Sequence, residues 1–272
     1  MKGRSVVGIS LKYIIVTKED GVATIRMNRP EKLNAMCIEM QEEIVRTLKE
    51  LALDDSVRVV VITGVGKAFS SGGDIGDMDM AHRSPPFELR RILNQSLATI
   101  VKEIWNMEKP VIAAVNGAAT GGACNVALAC DIVIASEDAR FGQVFLALGL
   151  IPDGGGSWLL PRLVGFHKAV ELIFTGRLVE AKEAERLGLV NKVVSAEELE
   201  NTVKEYANLL KIFPLGALGA TKKAIHKGFT MSLEEALDYE MTMQTLCFQT
   251  EEHKERVRAF LARKKQRTNQ RE

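Results

Sequence analysis

The stretch "VIAAVNGAATGGACNVALACDIVIAS" (Val111–Ser136) decides the fold. Val111–Gly117 reads as one strand and Asp131–Ser136 as a second, with a glycine-rich break and a short helix between them. Upstream, "VRVVVITG" (Val57–Gly64) is a nearly continuous apolar run, the mark of a strand buried on both faces of a parallel sheet. Before it, "CIEMQEEIVRTLKELALDD" (Cys37–Asp55) has apolar residues at helical spacing. Near the start, "YIIVTKEDGVATIRMN" (Tyr13–Asn28) is two alternating runs around Asp20-Gly21, a hairpin signal. After "VRVVVITG", one long helical stretch is expected from Phe87 to Glu108, ending at Pro110. Strands that alternate with helices imply βαβ units and a mainly parallel sheet, so the fold class is α/β. From about Ser195 onward the chain reads as helix after helix. The expected organisation is therefore a core over residues 1–194 and a helical region over 195–272.

Bulk properties narrow the function classes. The 272 residues, 46% hydrophobic and 26% charged, have ordinary globular composition. A formal net charge of +1 supplies no global field for nucleic acid. Cys37, Cys124, Cys130 and Cys247 are widely spaced with no CxxC pair, which argues for a reducing compartment and against a structural zinc. No window approaches about 20 uninterrupted apolar residues, so a soluble cytoplasmic protein without membrane or nucleic-acid partners is expected. His82, His167, His226 and His253 have no spacing that suggests a metal site or a triad, and Ser71 and Ser157 have no evident base. Cys124 reads as a small buried hydrophobe. No metal is expected.

Two glycine breaks carry the chemistry. "GKAFSSGGDI" (Gly66–Ile75) and "NGAATGGACN" (Asn116–Asn125) each follow a strand, and the second precedes a helix. Such places expose backbone N–H groups to a ligand, and two that converge form an oxyanion hole. Taken singly, either break reads first as a simple turn at a strand end. A third stretch, "LIPDGGGSW" (Leu150–Trp158), sets Asp153 between an apolar run and three glycines. From the residues alone Asp153 reads as a turn corner or a helix N-cap, with proton transfer as the alternative.

Together with "NRPEKLNAM" (Asn28–Met36), these motifs resemble, in order, those of the enoyl-CoA hydratase/isomerase (crotonase) superfamily. The resemblance runs from about Tyr13 to Lys265 and implies a crotonase-like ββα superhelix with a C-terminal helical trimerisation region. It implies acyl-CoA thioester substrates, no cofactor beyond the coenzyme A that the substrate carries, and self-association as a trimer or dimer of trimers. By position it makes the N–H groups of Gly73 and Gly122 the oxyanion hole, and it puts Lys32, Ala35, Ser70, Asp74 and Ile75 near the CoA.

The hydratases of this family resemble one another in carrying two glutamates, at positions that here hold Asn125 and Phe145. Water addition needs one group to deprotonate water and one to protonate carbon, and this pair does neither. Asp153 sits where isomerases of the superfamily carry an acid/base carboxylate. The segment resembles most the 1,2-epoxyphenylacetyl-CoA isomerase branch and its Δ3,Δ2-enoyl-CoA isomerase relatives. The resemblance therefore implies a double-bond shift by Asp153 through an enolate, with Leu150, Ile151, Phe145 and Trp158 raising its pKa. Two other readings stay open: a hydratase using Asp153 and water, and a non-catalytic CoA-ester binder. An aspartate here also serves as nucleophile in the 4-chlorobenzoyl-CoA dehalogenase branch, but nothing else in the chain singles out an aryl halide. Asn125 contacts substrate or water, or satisfies a backbone carbonyl. Phe145 lines the acyl pocket or packs the core.

In the tail, eight basic against four acidic residues over 251–272 leave +4. The resemblance sets Phe260 and Arg263 near the adenine end of CoA. The plain alternative is a solvated helix end with cations favouring its dipole.

Overall fold

The structure, a computed structural model, describes residues 7–269, without the side chains of 7, 80–82 and 265–269. His82, Lys265, Arg267, Arg271 and Glu272 thus lie outside the described residues or side chains. The strands are β1 (Val7–Ser10), β2 (Ile14–Glu19), β3 (Val22–Met27), β4 (Val59–Gly64), β5 (Ala68–Ser70), β6 (Val111–Val115), β7 (Ala118–Thr120), β8 (Ile132–Ser136), β9 (Arg140–Gly142), β10 (Val179–Glu180) and β11 (Lys192–Val194). A seven-stranded sheet has the order β1-β2-β3-β4-β6-β8-β11, and a four-stranded sheet the order β10-β9-β7-β5. Pairing is antiparallel through β1–β3 and β10–β9, and parallel elsewhere. Each of β4, β6 and β8 is followed by a short strand in the second sheet, which is the ββα repeat of the crotonase fold. Of these, β5 and β7 lie inside the stretches that read as glycine breaks.

The hairpin forms as its residues dictate. Glu19 pairs with Val22 across a two-residue turn, with Asp20 at φ 50° and Gly21 at φ 79°. Two consecutive left-handed residues match the twist of the flanking strands. In the central strands successive residues enter different cores. Val60 and Ile62 of β4, with Val111, Ala113 and Val115 of β6, face the main core. Val59, Val61, Ile112 and Ala114 face a second one. Both faces are dry, so the strands read as unbroken apolar runs rather than alternating ones.

Helices α1 (Ile38–Leu53), α4 (Leu97–Asn106), α5 (Gly122–Leu128), α6 (Gly156–Val164), α7 (Phe166–Thr175) and α8 (Ala181–Arg186) pack into the main core, and α2 (Ile75–Arg83) and α3 (Pro86–Gln95) lie between α1 and α4 in the chain. The single helix expected over Phe87–Glu108 is two. Ser96 leaves helical geometry at φ −103°, ψ −107°, its hydroxyl donates to the Leu93 carbonyl at 3.3 Å, and its carbonyl accepts from Thr99 and Ile100. The break lets α4 bury Leu97, Ile100 and Ile104 while α3 buries nothing.

After β11 the described residues form helices alone, but the compact units divide later than composition suggests. Compactness divides the chain at Lys211/Ile212 rather than at 194/195. The reason is α9 (Leu199–Leu210), whose Leu199, Val203 and Ala207 close the second core against Val59, Val61 and Ile134. Each large apolar side chain buried there contributes about 1.5–3 kcal/mol, so α9 is fixed to the sheet. The second unit, Ile212–Glu272, holds α10 (Leu215–Gly228), α11 (Leu233–Gln249) and α12 (Glu251–Asn269). A reciprocal capping box starts α11: Ser232 Oγ accepts from Glu235 N–H at 3.2 Å, and Glu235 Oε2 accepts from Ser232 N–H at 2.7 Å. Among the described residues, no helix is long and apolar enough to cross a membrane.

Candidate active site

The two glycine breaks meet. Gly72 has φ +98°, and a Cβ there would fall 2.8 Å from the Thr120 carbonyl oxygen and 3.8 Å from Gly121 Cα. Gly121 itself has φ 56° and ψ −133°, where L side chains are rare. The Thr120 hydroxyl ties the breaks together by donating to the Ser71 carbonyl at 2.9 Å. At the neighbouring position, Met36 bonds to the residues on either side of Gly73: its N–H donates to Gly72 C=O at 2.8 Å, and its carbonyl accepts from Asp74 N–H at 3.3 Å. In a parallel bridge this pattern turns the N–H of the middle residue away from the partner. The Gly73 N–H is therefore left without a protein acceptor among the described residues, at an exposed position. Gly122 is the first residue of α5, so its N–H has no intrahelical partner either. No protein acceptor is thus assigned to either N–H among the described residues.

Asp153 stands beside them. Its Oδ1 lies 3.3 Å from where a Gly122 Cβ would be. The turn reading holds for its main chain, since its carbonyl accepts from Gly156 N–H at 2.9 Å and Gly154 and Gly155 are left-handed. The cap reading does not hold for its side chain: the N-cap of α6 is Gly155, with no side-chain cap bond. The carboxylate is thus left over from the local structure. It opens into a cleft, yet the surrounding protein displaces enough water that burial raises its pKa above the usual aspartate value, against a smaller lowering by its own N–H. The expected source of that environment needs correction. Leu150 and Ile151 are 46% and 79% exposed, whereas Leu97 of α4 comes within 2.5 Å of a Gly122 Cβ and 3.1 Å of a Gly154 Cβ. The apolar wall comes from α4.

Asn125, on α5, is fully buried and both ends of its amide are used. Nδ2 donates to the Asp153 carbonyl at 2.7 Å and Oδ1 accepts from Gln143 Nε2 at 2.7 Å. Of the roles open for it in sequence, the structure shows the bond to a backbone carbonyl. Gln143, which sequence reading overlooked, completes the brace, with Nε2 also 3.5 Å from Cys124 Sγ. Burial pushes the Cys124 thiol up to about 12, so it is an inert hydrophobe there. Phe145 is buried, with Cζ 4.0 Å from a Gly121 Cβ, so it packs beneath the glycine pair. Trp158 packs edge-on to Trp105, centroids 5.2 Å apart, and carries the Arg162 guanidinium at 4.0 Å. Replacing Asn125 with Ala removes one of the two bonds to the Asp153 carbonyl and leaves Gln143 Nε2 with only its 3.5 Å contact to Cys124 Sγ. The expected result is a loss of about 1–3 kcal/mol in stability and a fall in kcat with KM little changed, read by thermal melting and steady-state kinetics.

The positions assigned to CoA divide. Lys32 and Ile75 are exposed, with side chains open to a ligand. The other three hold the loops. Ser70 is fully buried and its hydroxyl accepts from Gly72 N–H at 3.2 Å. The Ala35 carbonyl accepts from Arg29 Nη1 at 2.6 Å. Asp74 accepts from Gly76 N–H at 2.8 Å and pairs with Arg29 at 2.8 Å, and these two contacts hold its pKa below the usual range. These bonds hold the loops at the three positions. Phe260 and Arg263 lie exposed on α12 in the second unit.

The comparisons with known proteins agree with this geometry. A family model described as enoyl-CoA hydratase/isomerase matches residues 17–271. The short-chain-enoyl-CoA hydratase of Clostridium acetobutylicum is 40% identical over 262 residues, covering 94% of this chain and 97% of that protein. The 1,2-epoxyphenylacetyl-CoA isomerase of Escherichia coli is 37% identical over 254 residues, covering 93% and 97%. An enoyl-CoA hydratase subunit I from Geobacillus kaustophilus, known as a crystal structure, superposes with a TM-score of 0.86 at 38% identity, covering 92% of this chain and 95% of that one.

Proposed function

The chain belongs to the enoyl-CoA hydratase/isomerase family, and from that premise we propose that it shifts a double bond in an acyl-CoA thioester, with Asp153 as the one acid/base group. One observation carries the reading: a single carboxylate, Asp153, adjoins the Gly122 end of the N–H pair, while Asn125 and Phe145 occupy the other two candidate positions. Asp153 takes a proton from the carbon next to the thioester carbonyl. The negative charge moves onto the thioester oxygen, where the N–H groups of Gly73 and Gly122 stabilise it; one such donor is worth about 10²–10³ in kcat. Asp153 then returns the proton two carbons along. The same carboxyl serves both steps, so no second group is needed. Its raised pKa brings the carboxyl closer to the conditions under which it must both accept and release a proton.

The CoA is proposed to lie along Lys32 and Ile75. The helices of the second unit are proposed to assemble the chain as a trimer or dimer of trimers, supported by Leu233, Leu237 and Met241, which α11 leaves exposed within the chain. A second reading, hydration by Asp153 and a water, is favoured by the names of relatives such as the Clostridium hydratase. Mass spectrometry of products from a 3-enoyl-CoA and, separately, a 2-enoyl-CoA separates the two. Isomerisation yields a shifted double bond at unchanged mass, whereas a product heavier by one water assigns the chain to hydration.

A further inference from the structure

Asp153 lines a cavity of about 480 Å³ together with the α3–α4 segment, including Phe87, Arg90, Leu93 and Leu97. Arg90 is the unusual member. Its guanidinium makes no hydrogen bond or ion pair among the described residues. The adjacent Arg91, by contrast, bonds Gln95 Oε1 at 3.5 Å and approaches Glu88 at 4.0 Å. Arg90 is not paired with Asp153 either, whose pKa is raised by burial and shows no lowering by a cation. A guanidinium is always charged, donates through a planar fork, and matches a carboxylate with two parallel bonds. Arg90 lines the cavity beside Phe87, Leu93 and Leu97, so an anion that it holds can carry an apolar chain against those side chains.

We propose that Arg90 is a specificity-determining residue that receives a carboxylate at the far end of the acyl group, so that the preferred thioesters are those of dicarboxylic acids. This rests on the acyl-CoA reading above and names the substrate class of that same site. The apolar side chains take the methylenes, Asp153 works at the thioester end, and Arg90 fixes the distal charge.

The test is a calorimetric titration of the full chain with saturated ω-carboxyacyl-CoA thioesters of increasing length, each paired with the methyl-terminated thioester of equal length. Arg90 is exposed and outside the core, so Arg90→Met and Arg90→Lys are built on an intact fold. Wild type is expected to favour the carboxylate-terminated member at its best length by roughly tenfold to a hundredfold, the range for hydrogen bonds to a charged group. Arg90→Met is expected to bring that ratio to about one, and Arg90→Lys to restore part of it. A wild-type preference for methyl-terminated thioesters overturns the proposal. So does an equal loss for both members in Arg90→Met, which would assign Arg90 to a CoA phosphate. Binding of neither member by wild type overturns the acyl-CoA reading and this proposal with it.

Discussion

Replacing Asp153 with Asn is expected to lower kcat by about 10²–10⁴, the range for removal of a positioned acid/base group, while binding of a saturated thioester persists. Asn keeps the shape and the main-chain bonds from Gly156 and Asn125, so the loss isolates the proton acceptor. The same variant should melt higher than wild type at neutral pH. Burial raises the folded-state pKa of Asp153 above its unfolded value, so folding favours the protonated form. The stability linked to that proton is fully present below the unfolded value near 3.8 and is lost as pH rises through the folded pKa. The advantage of the variant therefore grows with pH from acid to neutral. Melting curves across that interval, beside kcat at each pH, check both halves. A variant that is both inactive and less stable at neutral pH would point to a structural role for the carboxylate.

The second large effect is expected at Gly72. An alanine there must accept φ +98° and bring Cβ to 2.8 Å from the Thr120 carbonyl oxygen, which is backbone and cannot swing aside. The strain, about 1–3 kcal/mol for the backbone alone, is relieved only by parting the two glycine breaks. That motion carries the next residue, Gly73, away from Gly122. Removing one oxyanion donor costs about 10²–10³ in kcat, and displacing one by an ångström has a similar consequence. Gly72→Ala is thus expected to lose about two orders of magnitude in kcat together with a fall in Tm, measured by steady-state kinetics and calorimetry. Unaltered kcat with a lower Tm would separate the glycine contact from catalysis.

Much of the core was legible in the sequence because its local rules agree with its packing. Asp20-Gly21 supplies both left-handed residues of its turn, and the apolar runs of β4 and β6 follow from burial on two faces. The break at Ser96 was not legible. Leu93, Leu97, Ile100 and Ile104 keep a helical period straight across it, and neither Gly nor Pro interrupts them. Nor does an amphipathic helix announce its partner, so α9 reads the same whether it covers a sheet or joins a bundle. At the site, the glycines and Asp153 could be located because they carry backbone geometry and charge. The brace from Gln143 to Asn125 joins residues far apart in sequence, and only folding brings them together. Ser70 and Asp74 were placed near a ligand by resemblance alone. That resemblance tracks backbone position and does not reveal that Gly72, Gly76 and Arg29 already occupy their side chains.

The most direct test follows a 3-enoyl-CoA through wild type and Asp153→Asn in deuterated water, with mass and position of the label read on the product. A single-carboxylate shuttle predicts a 2-enoyl-CoA with no added water, carrying solvent deuterium two carbons beyond the site of abstraction only to the extent that the Asp153 proton exchanges before its return. It predicts neither label nor product from Asp153→Asn, although that variant binds the thioester. A hydroxyacyl product from wild type, or undiminished labelling in the variant, would contradict it.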